Sequence, residues 1–444
     1  MTAMYDVTVI GGGPAGIAAA IAADKSGARV LLIEREARLG GILKQCIHDG
    51  FGLLRFQEKL SGPEYAYRFI HTLQQTRVEV HTLSFVTHIN ALSKTEDDQP
   101  LSSNSKGTTG FVVTITSAKG MEKIATQTLI FSTGCRERTA RQVAIHGTRP
   151  AGVLTAGSAQ YYTNILGQLP CRRCVILGSG DIGLIMARRL HLEGAEVLGV
   201  YEAKPTPSGL SRNIAQCLDD FAIPLHLNKT VTRVFGDKRL EAVEIMSVNE
   251  AMEPIAHTEE RIACDGLILS VGLIPENELA ERIGVPLSPL TKGPVCDQCN
   301  MTRIPGVFSC GNALQVNDLV DYVSESGEIA GRAAAVFAMG KEVHSAPRYA
   351  ELCPSKDILA VTPQLLNLDS LEDRVTVFFR VREECSSVCV RFMLEHSDRQ
   401  IEIFSRKYPH LRPPEMERVI LNLKNSTLSE HTRIMITVEK ARSS

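Results

Sequence analysis

In the run VTVIGGGPAGIAAAIAADKSGARVLLIERE, Gly11, Gly13 and Gly16 stand between an apolar strand and an alanine-rich helix, and Glu34 ends the next strand. That spacing suits a pyrophosphate. Gly11 permits a tight turn, Gly13 lets the backbone approach the phosphates, and Gly16 allows the helix to pack against the strand. The helix N-terminus adds unpaired N–H donors and the positive end of its dipole. Glu34 stands where a carboxylate bonds ribose hydroxyls. The plan recurs in CVILGSGDIGLIMARRLHLEGAEVLGVYEAK, with Gly178, Gly180 and Gly183 in the turn, Asp181 and Ile182 beside them, and Glu202 at the end of the following strand. Glu202 favours NADH, because its charge repels the 2′-phosphate of NADPH, although Lys204 offers a partial offset. Two such units imply two dinucleotides, or one dinucleotide and a relic.

Thiols are the second source of chemistry. The stretch LGGILKQCIHDGFGL carries one cysteine, Cys46, with His48 two residues on, and the next cysteine is Cys135. Cys46 could act alone as a thiolate or sulfenic acid, or serve as a small apolar wall residue. His48 could protonate a substrate or cofactor position, or be structural. Two Cys-x-x-Cys pairs, Cys171/Cys174 and Cys296/Cys299, lie more than a hundred residues apart. A metal or iron–sulfur centre would need four thiolates at one point, so chance or surface thiols is the favoured account and no metal is expected.

The elements that must position these residues follow from the pattern. At 444 residues the chain exceeds one ordinary core. Its 44% apolar and 22% charged content is that of a globular protein, and a net charge of −2 gives no case for nucleic acid or an anionic membrane. No signal peptide or membrane-spanning run is read, so the expected location is cytoplasmic with reduced thiols. TLIFSTGCRER, DGLILSVGLIPE and TRIPGVFSCGN each read as a strand closing on glycine, with a helical stretch after the last. The residues from 93 to 110 read as a flexible hairpin tip. Near the C-terminus, Val375, Val377, Phe379 and Val381 alternate, as do Val388, Val390, Phe392 and Leu394. Val419, Leu421 and Leu423, then Ile434, Ile436 and Val438, continue the period of two, which argues for a small antiparallel sandwich.

The fold class is therefore α/β, with two Rossmann-like dinucleotide-binding domains and a C-terminal all-β sandwich. The expected boundaries are 1–150 with 265–345 for one domain, 151–264 for a second inserted within it, and 355–444 for the sandwich. With GGGPAG, GGILKQCIHDGFG, TGCRERTARQ, GTRPAGVLTAG, GSGDIGLIMARRL and SCGNALQVNDLVDYVSESGEIAG, the chain resembles the two-dinucleotide-binding-domain flavoproteins of the pyridine nucleotide-disulfide reductase superfamily. Within it, the likeness is to flavoprotein subunits of opine oxidase, hydrogen cyanide synthase and sarcosine-oxidase-like complexes, and to those associated with glycerol-3-phosphate dehydrogenase-like proteins. The resemblance implies FAD on the first unit, touching Gly11, Gly13, Pro14, Ala15, Gly16, Glu34, Arg35, Gly40, Gly41, Thr133, Gly134, Gly311 and Asn312. Much of the superfamily has aspartate where this chain has Asn312. The resemblance also implies that the helix near Asp318, Asp321 and Glu325 points toward the flavin, whereas dipole complementation alone would explain those acids.

The resulting expectation is an FAD-dependent oxidoreductase passing hydride between NAD(H) and flavin. It has no dithiol active site. Electrons leave through a second flavoprotein, the partner dehydrogenase or oxidase of a complex, which acts on an amine, opine or glycerol-3-phosphate-like substrate. Homo-oligomerisation through the C-terminal domain fits as well. The rivals are a stand-alone NADH oxidase or peroxidase using Cys46, a metal-dependent carrier, and a non-catalytic flavin-binding assembly subunit.

Overall fold

The computed structural model describes residues 4–92, 110–340, 347–396, 399–424, 428–430 and 432–440. The chain divides into two compact units: Met1–Lys44, Asp49–Cys135 and Pro275–Ser444 form one, and Gln45–His48 with Arg136–Ile274 form the other.

The first unit is built on a seven-stranded sheet in the order Glu79–His81, Val30–Ile33, Tyr5–Ile10, Gly120–Phe131, Phe111–Ser117, Phe85–Ala91, with Val307–Ser309 also pairing Gly120–Phe131. Tyr5–Ile10 runs parallel to both neighbours. Strands covered on both faces need continuous apolar runs, and Val7, Val9, Leu31, Leu32 and Ile130 are all buried. Most of the expected hairpin tip lies outside the described residues; the strands on either side of it pair antiparallel. The helix Pro14–Lys25 packs against the helix Val320–Ala338 through backbone. A Cβ on Gly327 would stand 2.1 Å from Ala15 O, and one on Gly331 would stand 2.1 Å from Ala19 O. Neither neighbour is a flexible side-chain end. Gly331→Ala should therefore lower unfolding stability by about 2–4 kcal/mol, because backbone must shift to admit the methyl. Denaturant melts of the flavin-free protein measure this, and an unchanged midpoint would contradict the close helix contact.

The C-terminal residues of this unit form two sheets. One runs Leu365–Asn367, Tyr349–Pro354, Arg433–Lys440, Cys385–His396, Arg399–Leu411; the other runs Ile358–Thr362, Arg374–Val381, Glu417–Asn422. The alternating residues face inward as read, except that Val438 is only partly buried. The sandwich is not wholly antiparallel, since Tyr349–Pro354 pairs parallel with Arg433–Lys440. It is fastened to the rest of its unit by polar contacts. Arg380 donates to Val316 O at 3.1 Å and pairs with Asp318, whose other oxygen accepts from Met416 N at 2.6 Å. Arg418 pairs with Glu325 at 2.6 Å. Asp318 and Glu325 thus hold the sandwich, a role that neither sequence-based reading had given them. The Cys296–Cys299 turn joins the same seam. Buried Asp297 accepts from Cys299 N and Met301 N, while Gln298 exchanges hydrogen bonds with the backbone of Asn367.

The second unit holds a parallel five-stranded sheet ordered Val153–Thr155, Gly266–Leu269, Arg173–Leu177, Glu196–Glu202, Leu225–Leu227. A four-stranded sheet, His146–Gly147, Lys229–Phe235, Ala242–Ser247, Glu260–Ala263, accompanies it. The expected boundaries at 151 and 264 need correction. Gly266–Leu269 is buried along its whole length because it runs between Val153–Thr155 and Arg173–Leu177, and residues 136–150 also belong here. Among the described residues, no helix is long and apolar enough to cross a membrane.

Candidate functional site

The first glycine turn has the local geometry that its residue types demand. Gly11 sits at φ +111°, and a Cβ there would meet Ser132 O at 2.4 Å. Gly16 approaches closest of the three, with a hypothetical Cβ 1.8 Å from Gly11 O. Gly13 differs, since its nearest neighbour in the same test is Gly41 Cα at 4.0 Å. The first and third glycines are needed for packing, while the second leaves open space at the N-terminus of the helix that Pro14 begins. Glu34, buried at the end of Val30–Ile33, accepts from Gly12 N at 2.7 Å and Glu36 N at 2.8 Å. Those two bonds fix the carboxylate beside the turn and leave lone pairs for ribose hydroxyls.

Other expected contacts gather at the same helix end. Gly40 N donates to Gly12 O at 2.8 Å, and a Cβ on Gly41 would stand 3.0 Å from Gly13 Cα. The second pair of glycines is laid directly along the first turn. Gly311, at φ +63°, brings its hypothetical Cβ within 2.7 Å of Ala15 Cβ. Thr133 Oγ1 donates to Glu276 O at 2.6 Å, Gly134 turns at φ +73°, and Arg35 pairs with Glu276 at 3.3 Å. Asn312 Oδ1 accepts from Asn317 N at 3.1 Å and Asn317 Nδ2 at 3.3 Å, so its acceptor is already engaged within the loop.

The second turn repeats the first almost atom for atom. Gly178 lies at φ +96° with a hypothetical Cβ 2.0 Å from Ser270 O, and Gly183 would meet Gly178 O at 2.6 Å. Gly180 is the open one, with Ser270 Oγ at 3.6 Å as its nearest neighbour. Buried Glu202 accepts from Ser179 N at 3.1 Å, Ser179 Oγ at 2.6 Å and Lys204 N at 3.1 Å. Asp181 opens the helix Asp181–Leu192 and accepts from Leu210 N at 2.9 Å and Asn213 Nδ2 at 2.7 Å, while Ile182 packs on the apolar core. Two residues went unread in the sequence: Ser132 and Ser270. Ser132 N donates to Ile10 O at 3.0 Å, and Ser270 N donates to Leu177 O at 2.7 Å, so each closes one turn from the neighbouring strand. The signal was available in the matching segments LIFSTG and LILSVG.

Cys46 and His48 lie in the short segment that belongs to the second unit. Cys46 is buried, its Sγ 3.8 Å from Gln160 Oε1, and burial pushes the thiol up to about 12. A thiol held protonated across neutral pH is a poor nucleophile. His48 is half-buried. The two Cys-x-x-Cys pairs fall in different units, and among the described residues no group of three or more His, Cys, Asp or Glu could hold a metal ion.

A strand with parallel neighbours that leads through a pyrophosphate-fitting glycine turn into a helix N-terminus, present twice, defines a two-dinucleotide-binding architecture. The chain belongs to the pyridine nucleotide-disulphide oxidoreductase family, whose profile matches residues 5–334. The family is one of FAD- and pyridine nucleotide-binding oxidoreductases. The chain is 25% identical to a subunit of the opine oxidase of Agrobacterium tumefaciens over 76% of this chain and 65% of that protein. It is 27% identical to hydrogen cyanide synthase subunit HcnB of Pseudomonas protegens over 62% and 58% respectively. The chain thus spans about three-fifths of the length of these curated relatives. Among solved structures, Lactococcus lactis thioredoxin reductase superposes with a TM-score of 0.60 at 21% identity, covering 76% of this chain and 99% of that one. Thioredoxin reductase of T. acidophilum gives 0.58 at 22%, covering 76% and 98%. At such identities the likeness speaks to the fold alone.

Proposed function

We propose that the chain passes hydride between NAD(H) and FAD as the electron-transfer subunit of a dehydrogenase or oxidase complex, with FAD on the first glycine turn and NAD(H) on the second. The observation that carries this is the repeated pairing of an open second glycine with a buried strand-end acid: Gly13 with Glu34, and Gly180 with Glu202. Bound there, the flavin and nicotinamide supply the two-electron chemistry. The chain's own residues do the holding. N–H groups at the N-termini of Pro14–Lys25 and Asp181–Leu192 would take the pyrophosphates. Glu34 and Glu202 would take ribose hydroxyls. Because Glu202 is fixed by three donors, it cannot swing aside to admit a 2′-phosphate, which favours NADH.

The next cysteine after Cys46 in sequence is Cys135, and burial holds the Cys46 thiol protonated; both favour an exit for electrons outside this chain. The relatives named as subunits support a partner subunit; that the partner is a second flavoprotein acting on an amine, opine or glycerol-3-phosphate-like compound follows from the resemblance alone. Cys46→Ser should leave reduction of the flavin by NADH within about threefold of the parent rate, as expected for a wall residue. Stopped-flow reduction measures it, and steady-state NADH turnover, read alongside, should be equally unaffected; loss of turnover with flavin reduction intact would restore Cys46 to a redox role.

Anaerobic titration with NADH, and separately NADPH, tests the main reading through the flavin absorbance. NADH should bleach the flavin promptly and NADPH poorly. A yellow protein that neither nucleotide bleaches would sink the hydride path and leave the second turn as a relic.

A further inference from the structure

Of the two Cys-x-x-Cys pairs, Cys296/Cys299 is accounted for by the seam that fastens the sandwich. Cys171/Cys174 is packed into the apolar core of the second unit, and polar groups also grip the backbone around it. Pro170 O accepts from Arg239 at 2.6 Å. Asp265 accepts from Arg172 N at 2.9 Å and Arg173 N at 2.8 Å, and it pairs with Arg239 at 3.2 Å. The Pro170–Arg173 backbone is therefore gripped by one acid and one base that also grip each other.

Gly266, on the adjacent strand, leaves the room that the sulfurs use. A Cβ there would stand 2.5 Å from Cys171 Cβ, 2.6 Å from Cys171 Sγ and 3.1 Å from Cys174 Cβ. The two cysteine Cβ atoms are consequently no more than 5.6 Å apart, the sum of the first and last distances. Disulfides need a Cβ separation of about 3.5–4.5 Å, within that bound. The closeness of the two thiols holds Cys171 below the ordinary thiol range and, with burial, pushes Cys174 far above it. One of the pair is thus disposed to be the nucleophile and the other to keep its proton. Both are buried, but the residues just before them, 165–169, are exposed coil.

We propose that Cys171 and Cys174 form a reversible dithiol–disulfide couple in the second unit, with low-molecular-weight disulfides as its oxidant. The Cys171 thiolate attacks one sulfur of the small disulfide, forming a mixed disulfide and releasing one thiol. Cys174 then attacks the Cys171 sulfur and expels the second thiol. Two protein S–H bonds are replaced by one S–S bond, two electrons pass to the small disulfide, and both protons end on the released thiols. The couple sits at the amino end of Arg173–Leu177, whereas the second glycine turn follows its carboxyl end. It is separate from the nucleotide site.

The test incubates the native full chain with oxidised glutathione, blocks remaining thiols with iodoacetamide, and maps the cysteine peptides. The parent protein should yield an internal Cys171–Cys174 bridge, reversed by dithiothreitol, with an unchanged circular dichroism spectrum. Cys174→Ser should arrest with glutathione on Cys171, and Cys171→Ser should take up about tenfold less on Cys174. Two fully alkylated thiols after oxidant, or a bridge that forms only in denaturant, would overturn the proposal. Equal glutathione uptake by the two variants would overturn it too, because Cys171 would then have no nucleophilic preference.

Discussion

Gly180→Val should remove the NADH response while the protein keeps its full complement of flavin. The residue sits at φ −65° and ψ 159°, a region open to any L-amino acid, so the substitution brings no backbone strain. Its Cβ position has nothing nearer than Ser270 Oγ at 3.6 Å, so the fold can accept the first carbon of a side chain. The isopropyl group would instead fill the space in front of the first N–H groups of Asp181–Leu192. A pyrophosphate kept from those donors loses charge-assisted hydrogen bonds of roughly 1.5–3 kcal/mol each. Losing two of them weakens NADH by at least about a hundredfold. Anaerobic titration against the absorbance of bound flavin reads both halves of the prediction at once. Full bleaching at parental NADH concentrations would show that the nucleotide enters elsewhere. The neighbouring glycines make a poorer experiment: a Cβ at Gly183 meets Gly178 O at 2.6 Å, so its substitution disturbs folding before it can report on binding.

That contrast also marks what the sequence disclosed. Both glycine turns were legible because strand, turn, helix and terminal acid are consecutive, and each part has its own local signal. The sandwich strands were legible for a similar reason, since period-two burial is written along each strand. Contacts made across long separations were not. Nothing local announces that Gly327 and Gly331 press on Ala15 and Ala19, more than three hundred residues away. Nor does DQ within Cys296–Cys299 announce hydrogen bonds to Asn367. Asp318 and Glu325 were weighed as dipole or flavin residues because they flank a helix start; their partners Arg380 and Arg418 lie on strands whose docking no local pattern encodes. The unit boundaries were misplaced by the same logic. Gly266–Leu269 resembles any strand closing on glycine, and only pairing with Arg173–Leu177 assigns it to its sheet.

The equivalence of the two turns sharpens a second expectation. Gly13→Val should give a folded, colourless protein. Like Gly180, Gly13 has an extended backbone, φ −77° and ψ −176°, and its Cβ position is free of contact closer than 4.0 Å. Glu34 keeps its bonds to Gly12 N and Glu36 N, and Gly40 keeps its bond to Gly12 O, so the frame of the turn is untouched. What changes is the approach to the helix that begins at Pro14, where the valine methyls would occupy the place of the phosphates. Flavin affinity should fall at least about a hundredfold, on the same hydrogen-bond reasoning. Gly16→Ala is the necessary comparison. It also loses flavin, but through a methyl forced 1.8 Å from Gly11 O, and it should melt at lower denaturant than flavin-free parent protein. If Gly13→Val melts early as well, the second glycine is a packing residue here and the first turn has no open approach for a pyrophosphate. If it melts with the parent yet stays yellow, the flavin is held somewhere other than this turn.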